Sequence, residues 1–122
     1  AYASLGEVRK AIEFYEQQLL IVREIGDRRG EGNALGNLGN AYASLGEVRK
    51  AIEFYEQQLL IVREIGDRRG EGNALANMGV AYKKLKDLTE ARRLWLQALE
   101  IFEAIEDPNA ALVQEWLGGL DQ

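Results

Sequence analysis

The chain contains no cysteine and no histidine among its 122 residues. Without cysteine there is neither a disulfide framework nor a thiolate site, which fits a cytoplasmic location. Because histidine is also missing, the commonest general base and zinc ligands are absent. The only serines, Ser4 and Ser44, have no histidine to activate them. We therefore expect no enzyme activity, no metal site and no cofactor.

Long apolar runs and an excess of positive charge are missing too. No apolar stretch approaches the roughly 20 residues that a membrane-spanning helix needs, so we expect no membrane partner. The formal net charge is −5, with 15 basic residues against 20 acidic ones. Nucleic-acid binding depends on lysine and arginine neutralising phosphates, so this balance argues against a nucleic-acid partner.

What the sequence does contain is a long internal repeat. Residues 1–35 and 41–75 are the same string, offset by 40 positions. A diverged third copy keeps Ala91, Leu99 and Asp107 at the same offset. Self-similarity with a period of roughly 20–50 residues is typical of stacked-repeat proteins. Such arrays present a long curved surface to partners, so the repeat favours a recognition function.

Each period predicts two helices, which we name helix A and helix B in chain order. Apolar residues recur at helical spacing through helix B of the second copy: Val48, Ala51, Ile52, Tyr55, Leu59, Val62 and Ile65. Gly66 is suited to end that helix in the left-handed conformation, and Asp67 can cap the next one. The predicted helices cover residues 7–25, 28–45, 47–65, 68–85 and 87–105, after the end of an earlier helix at 1–5 and before a last helix that starts near Pro108.

Helix A of the second copy is rich in glycine. Its four glycines are Gly30, Gly32, Gly36 and Gly39, and each costs about 1 kcal/mol relative to alanine in a helix interior. This segment therefore needs tertiary packing to be helical. Gly39 lies beside the apolar stripe, where a neighbouring helix can come close. The sequence offers no equally clear packing role for Gly32 and Gly36.

The spacing of small and aromatic residues resembles the tetratricopeptide repeat. The matching residues are Leu38, Gly39, Tyr42, Gly46, Ala51 and Tyr55 in the second copy, and Met78, Gly79, Tyr82, Ala91, Trp95 and Ala98 in the third. Three features depart from the family pattern: Lys86 replaces the turn glycine, Gln18 and Gln58 replace an alanine, and the period is 40 residues instead of about 34. The longer variety is similar to the repeats of Pins-type G-protein-signalling scaffolds and of kinesin light chains.

The resemblance implies an all-α fold, a right-handed α-solenoid of antiparallel helix pairs. It divides the chain into a truncated first repeat at 1–27, a second repeat at 28–67, a third repeat at 68–107 and a C-terminal capping helix at 108–122. It also implies a protein–protein interaction scaffold that binds a peptide or protein segment in a concave groove lined by helices A. The family alone does not name the partner, because such repeats serve many.

Candidate partner-binding residues lie on helix A, opposite its apolar stripe. They are Arg29, Asn33, Asn37, Asn40, Ser44, Arg69, Asn73, Asn77, Lys83 and Lys84. Asparagine carries both a donor and an acceptor and can bond the main chain of an extended ligand, while the basic residues favour acidic residues in that ligand. Two other interpretations stay open: the asparagines make structural hydrogen bonds between helices, or the row is a solvated surface.

The N-terminal repeat lacks most of its helix A, because the 40-residue period places the start of an intact copy upstream of Ala1. We expect this to uncover an apolar stripe on helix B, formed by Val8, Ile12, Tyr15, Leu19 and Val22. Burying one Leu or Ile side chain stabilises by roughly 1.5–3 kcal/mol, so an open stripe favours association. The chain is then either a fragment of a longer array or a self-associating structural repeat element that forms homo-oligomers, which is the alternative to the scaffold.

Overall fold

The structure, a computed structural model, describes residues 4–121. Within that range it contains six α-helices and no strand: α1 (Leu5–Ile25), α2 (Arg28–Ser44), α3 (Val48–Ile65), α4 (Arg68–Lys84), α5 (Leu88–Ala104) and α6 (Asn109–Leu120). Each helix packs mainly on the helices next to it in the chain, and the short turns make neighbours antiparallel. The all-α solenoid expected from the sequence is confirmed. None of these six helices is long and apolar enough to cross a membrane.

Glycine and aspartate residues set the helix ends, as the sequence predicts. Gly26 and Gly66 end α1 and α3 in the left-handed conformation, with φ of 74° and 73°. Asp27 and Asp67 follow, and each side chain accepts a hydrogen bond from the backbone N–H three residues later, over 2.9 Å. The bounds of α2 to α5 agree with the predicted ranges to within one residue.

The turn between helix A and helix B keeps one geometry with two different residues. Gly46 adopts a φ of 81° after α2, and Lys86 adopts 69° at the equivalent place after α4. The left-handed conformation costs a residue with a side chain about 1–2 kcal/mol, whereas glycine adopts it freely. The second helix pair therefore avoids a strain that the third one carries.

Ser4 and Ser44 occupy the same place in the first two copies, yet they play different structural roles. Ser44 is the last residue of α2, and its hydroxyl donates to the carbonyl oxygen four residues earlier. Ser4 instead caps α1, because its Oγ accepts from the N–H three residues later over 3.1 Å. The expected end of an earlier helix at 1–5 is thus not found at Ser4, and Leu5 already belongs to α1; residues 1–3 lie outside the described range.

Three of the four glycines of α2 lie on the face that packs against α3. Three contacts recur along this interface: Gly32 with Ile61, Gly36 with Gln58, and Gly39 with Tyr55. A Cβ added at Gly36 or Gly39 would lie 2.6 Å or 2.5 Å from the facing side chain, closer than real Cβ atoms approach. Gly36, for which the sequence offers no clear packing role, therefore belongs to the same close contact as Gly39, whereas a Cβ at Gly32 would lie 3.4 Å from Ile61, an ordinary contact distance.

The third helix pair repeats this interface with residues of different size. Two of its contacts place a glycine against an aromatic ring: Gly72 with Phe102, and Gly79 with Trp95. At the middle position Ala76 replaces Gly36, and 40 residues after Gln58 the facing residue is Ala98. A methyl group gained on helix A thus accompanies a long side chain lost on helix B. Such compensating exchanges keep a packed interface filled.

Ion pairs tie the start of each helix A to the helix before it. The carboxylate of Glu31, which is buried, pairs with Arg23 over 3.0 Å and with Arg28 over 2.8 Å. Glu71 makes the same two pairs with Arg63 and Arg68. Burial pushes the pKa of Glu31 upward, but the hydrogen bonds and charges of the two arginines outweigh it, so the pKa lies below its ordinary value.

The apolar stripe expected to be open on α1 is covered, and this corrects the prediction. Ile12, Leu19 and Val22 are each only 7% exposed and belong to a cluster with α2, while Val8 and Tyr15 are partly buried against it. The reason is that a central helix B has two apolar faces. One face meets the following helix A, and the other meets the helix A of its own pair. Ile12, Leu19 and Val22 lie on the first of these faces, which meets α2.

Candidate functional site

A groove with a volume of about 580 Å³ runs across helices α2, α4 and α6. All six asparagines of the chain line it: Asn33, Asn37, Asn40, Asn73, Asn77 and Asn109. Gln18 and Gln58 add two further amide groups. We call this feature the amide groove. No side chain with a formal charge is among its lining residues, and no three carboxylates within residues 4–121 come together as a metal site.

Helical spacing places the asparagines along one face of each helix A. Asn33, Asn37 and Asn40 follow each other at intervals of four and three in α2 and are exposed, whereas Leu35 and Leu38 between them are fully buried. Residues three and four apart lie on the same side of a helix. The equivalent asparagines of α4 continue the row. The groove is therefore lined by amides because the opposite face of the same helices forms the core.

The end of the groove near α6 is apolar. Phe102 and Val113 are buried there, and Leu112 is exposed. The indole ring of Trp116 packs on that of Trp95, with a distance of 5.3 Å between ring centroids. Binding pockets usually combine many apolar atoms with a few converging polar groups. Here the two kinds of surface are separated along the groove.

Asn40 is held in place by a buried tyrosine. The hydroxyl of Tyr55 donates to Asn40 Oδ1 over 2.6 Å. Burial raises the pKa of Tyr55 to about 12, so its hydroxyl keeps the proton at neutral pH. In the third pair the two positions hold Val80 and Trp95, and the indole N–H of Trp95 donates to the carbonyl oxygen of Ala76 over 3.0 Å. The oxygen of Asn40 therefore makes a structural hydrogen bond, and its NH2 group is the part that can donate to a ligand.

The two predicted arginines lie beside the amide groove, in a second depression of about 450 Å³. Each is used in an ion pair between successive helix pairs. Arg29 reaches Asp67 over 3.4 Å, and Arg69 reaches the buried carboxylate of Asp107 over 2.8 Å. Both arginine side chains remain mostly exposed. Their positive charge is thus largely balanced within the chain.

The remaining predicted residues are more dispersed. Ser44 lines a third depression of about 270 Å³ beyond Asn37 and Asn40. Lys83 and Lys84 are exposed at the end of α4 and are not among the residues lining these three depressions. The structure brings together in the amide groove only the predicted asparagines: Asn33, Asn37, Asn40, Asn73 and Asn77.

Several lining residues were not predicted as binding residues. The sequence singles out Gln18 and Gln58 only as departures from the family alanine, and both line the groove. The sequence predicts a capping helix for Asn109, Leu112 and Trp116, and the structure places all three along the groove as well. The signal that could have found Asn109 is compositional, because every other asparagine in the chain lies in the predicted row.

Comparison with known proteins agrees with this architecture. The family model described as "Tetratricopeptide repeat" matches residues 1–64 and 33–104. The G-protein-signaling modulator 1 of Homo sapiens is 52% identical over 40 residues, which are 33% of this chain and 6% of that protein. The rat protein of the same name is 54% identical over 33 residues, which are 27% of this chain and 5% of that protein. The chain thus corresponds to a small part of these relatives, and its resemblance to G-protein-signalling scaffolds is confirmed.

Two solved structures share the arrangement of helices. The crystal structure of BtubC (BKLC) from P. vanneervenii has a TM-score of 0.86 and 28% identity, over 94% of this chain and 48% of that one. The apo form of RapI has a TM-score of 0.88 over 93% of this chain and 42% of that one, and its 20% identity makes this a likeness of fold alone. Since the family model spans most of the sequence and the helices stack as antiparallel pairs, the chain belongs to the tetratricopeptide repeat family.

Proposed function

We propose that this chain is a protein–protein interaction scaffold that holds an extended peptide segment in the amide groove. Family membership supports an interaction role. The observation that supports a peptide ligand is the convergence of all six asparagines and two glutamines on one uncharged groove. An amide side chain presents one acceptor and a donor group, as the main chain of a peptide does. A row of such side chains can hold an extended segment with little regard to its sequence.

The proposed ligand is neutral where it faces the amides. Arg29 and Arg69 are paired within the chain, so the acidic ligand expected from the sequence has little support from the groove itself. Burying an unpaired carboxylate against neutral amides would be unfavourable. An apolar side chain of the ligand fits the α6 end, where Leu112 and Trp116 offer apolar surface. The proposal includes no catalysis and no cofactor. It places the chain in the cytoplasm, because the chain lacks cysteine.

The test is to select ligands from a displayed library of random peptides on the full chain and to measure the affinity of one selected peptide by calorimetry. The double variant Asn37→Ala/Asn77→Ala should weaken binding by about tenfold or more, because each lost hydrogen bond contributes about 1 kcal/mol. The matched control, Gln17→Ala/Gln114→Ala, removes two exposed amides outside the groove and should leave the affinity unchanged. The proposal would be contradicted if no peptide is enriched, or if the selected peptide binds the asparagine double variant as tightly as it binds the glutamine control.

A second candidate function is self-association through α1, and the duplicated sequence favours it. Residues 8–25 of α1 and 48–65 of α3 are identical, yet Ile21 is 58% exposed whereas Ile61, which packs against Gly32 of α2, is 5% exposed. Phe14 and Ile25 are exposed on α1 as well. The open face of α1 is therefore the face that a helix A covers in α3. We propose that in solution a second copy of this chain packs its own α1 against it.

Sedimentation over a range of protein concentrations tests this association. Ile21→Glu should give a monomer at concentrations where the parent chain forms dimers, since it places a charge in the shared apolar face. The control Leu60→Glu changes a leucine on α3 that is 70% exposed and should leave the dimer intact. A parent chain that stays monomeric at high concentration excludes this candidate.

A further inference from the structure

Gln58 carries an unsatisfied polar atom at the floor of the amide groove. Its Oε1 is the one buried side-chain oxygen or nitrogen within residues 4–121 that has no hydrogen-bond partner. Gln58 also lines both the amide groove and the second depression beside it. Native proteins pair almost all buried polar atoms, so an exception calls for a reason.

Glycine at position 36 is what gives the Gln58 amide its place. A Cβ at Gly36 would lie 2.6 Å from Nε2 and 2.9 Å from Cδ of Gln58, so any larger residue would displace the amide group. The arrangement combines two unfavourable features, a glycine in the interior of a helix and an unpaired oxygen. Neither feature contributes to the stability of the helix pair.

The third helix pair indicates that the fold does not require this arrangement. There Ala76 and Ala98 stand at the positions of Gly36 and Gln58, and both are buried. The helices around them still pack closely, with Gly72 against Phe102 on one side and Gly79 against Trp95 on the other. Packing alone therefore gives no reason for Gln58, whereas its position in the groove does.

We propose that Gln58 is a specificity-determining residue of the amide groove, whose side-chain oxygen accepts a hydrogen bond from a main-chain N–H of the bound peptide. This inference rests on the proposed function of the groove. The terminal torsion of a glutamine side chain is broad, so the amide plane can turn its oxygen toward the ligand. A peptide that offers N–H at this point satisfies the oxygen, and one with proline or an N-methylated residue there leaves it unpaired.

The chain itself supplies the variant that tests this idea. Gly36→Ala/Gln58→Ala copies the pair Ala76 and Ala98 into the second helix pair, so it should fold with an unchanged or higher melting temperature. Gln58→Met keeps the length of the side chain over Gly36 and removes only the amide. A peptide selected from the random library should bind each variant about tenfold more weakly than the parent, the effect expected for one lost hydrogen bond to a buried amide.

An N-methyl scan of the selected peptide identifies the donor. One N-methylated position should weaken binding to the parent chain by about tenfold, and the same change should have no further effect on binding to Gln58→Met. If no position of the scan depends on Gln58 while Asn37→Ala/Asn77→Ala still weakens binding, the inference is overturned and the proposed function stands. If no peptide is enriched, or if the asparagine variant binds normally, both fail.

Discussion

The sharpest consequence of the close contact between α2 and α3 concerns the variant Gly39→Ala. Helix propensity alone predicts that this change stabilises the chain by about 1 kcal/mol. The structure gives the opposite sign. The added Cβ would lie 2.5, 2.7 and 3.0 Å from three atoms of the Tyr55 ring. That residue is 3% exposed, so the ring has no open space to move into.

The magnitude follows from what the ring must give up. Overpacking a filled interface costs about 1–3 kcal/mol. Moving the ring also breaks the hydrogen bond from Tyr55 to Asn40, and an unpaired buried group costs about 1–3 kcal/mol more. After the gain in helix propensity is subtracted, we expect the free energy of unfolding to fall by about 3 kcal/mol. For a chain of this size that lowers the melting temperature by roughly 10 °C.

Thermal melting followed by circular dichroism measures the effect, and the chain offers two matched controls. Gly6→Ala lies in α1 with its nearest neighbour 3.9 Å away, so it should raise the melting temperature slightly. Gly36→Ala meets only the flexible end of Gln58 and should change the stability much less than Gly39→Ala does. If Gly39→Ala raises the melting temperature as Gly6→Ala does, the tight packing of α2 on α3 is refuted.

Three further predictions concern a turn and two titrating groups. Lys86→Gly should stabilise the chain by about 1 kcal/mol in urea unfolding, because glycine adopts the left-handed turn conformation freely, and Gly46→Lys should destabilise it by a similar amount. The pKa of Glu31 is lowered on folding, so the unfolded chain binds its proton first and stability should fall as the pH drops below about 4; Glu31→Gln should flatten this part of the pH profile. The pKa of Tyr55 is raised to about 12, so the stability it contributes is present below pH 10 and lost as the pH rises through 12, and ultraviolet titration should show one tyrosine ionising last, which Tyr55→Phe removes.

The helices could be predicted because their signals are local. Gly66 and Asp67 mark one helix end and the next helix start within two residues, and apolar periodicity covers the segments between such marks. The same reasoning failed for the apolar stripe of α1. Periodicity along a helix locates an apolar face, but the neighbour that covers it depends on how several helices stack. Ile21, on the face left open, is as apolar in sequence as Ile12 on the covered one.

The candidate site was predictable only in part, for a related reason. The asparagines were found because their spacing on helix A and the family resemblance both place them opposite the core. The ion pairs of Arg29 and Arg69 join residues 38 positions apart, and no local pattern indicates such a distance. Gln58 was missed because its role depends on Gly36, a residue on another helix that acts by lacking a side chain.

The bond between Arg29 and Asp67 recurs between Arg69 and Asp107, and this has a consequence for how such a chain can lengthen. The two residues of each pair lie at the second and the last position of one 40-residue repeat, 28–67 or 68–107, so a further copy of 28–67 inserted after Asp67 would bring its own pair. Adding a repeat would then require no new ion-pair residues. The number of copies would set the length of the groove, and with it the length of the peptide segment that the proposed site can hold.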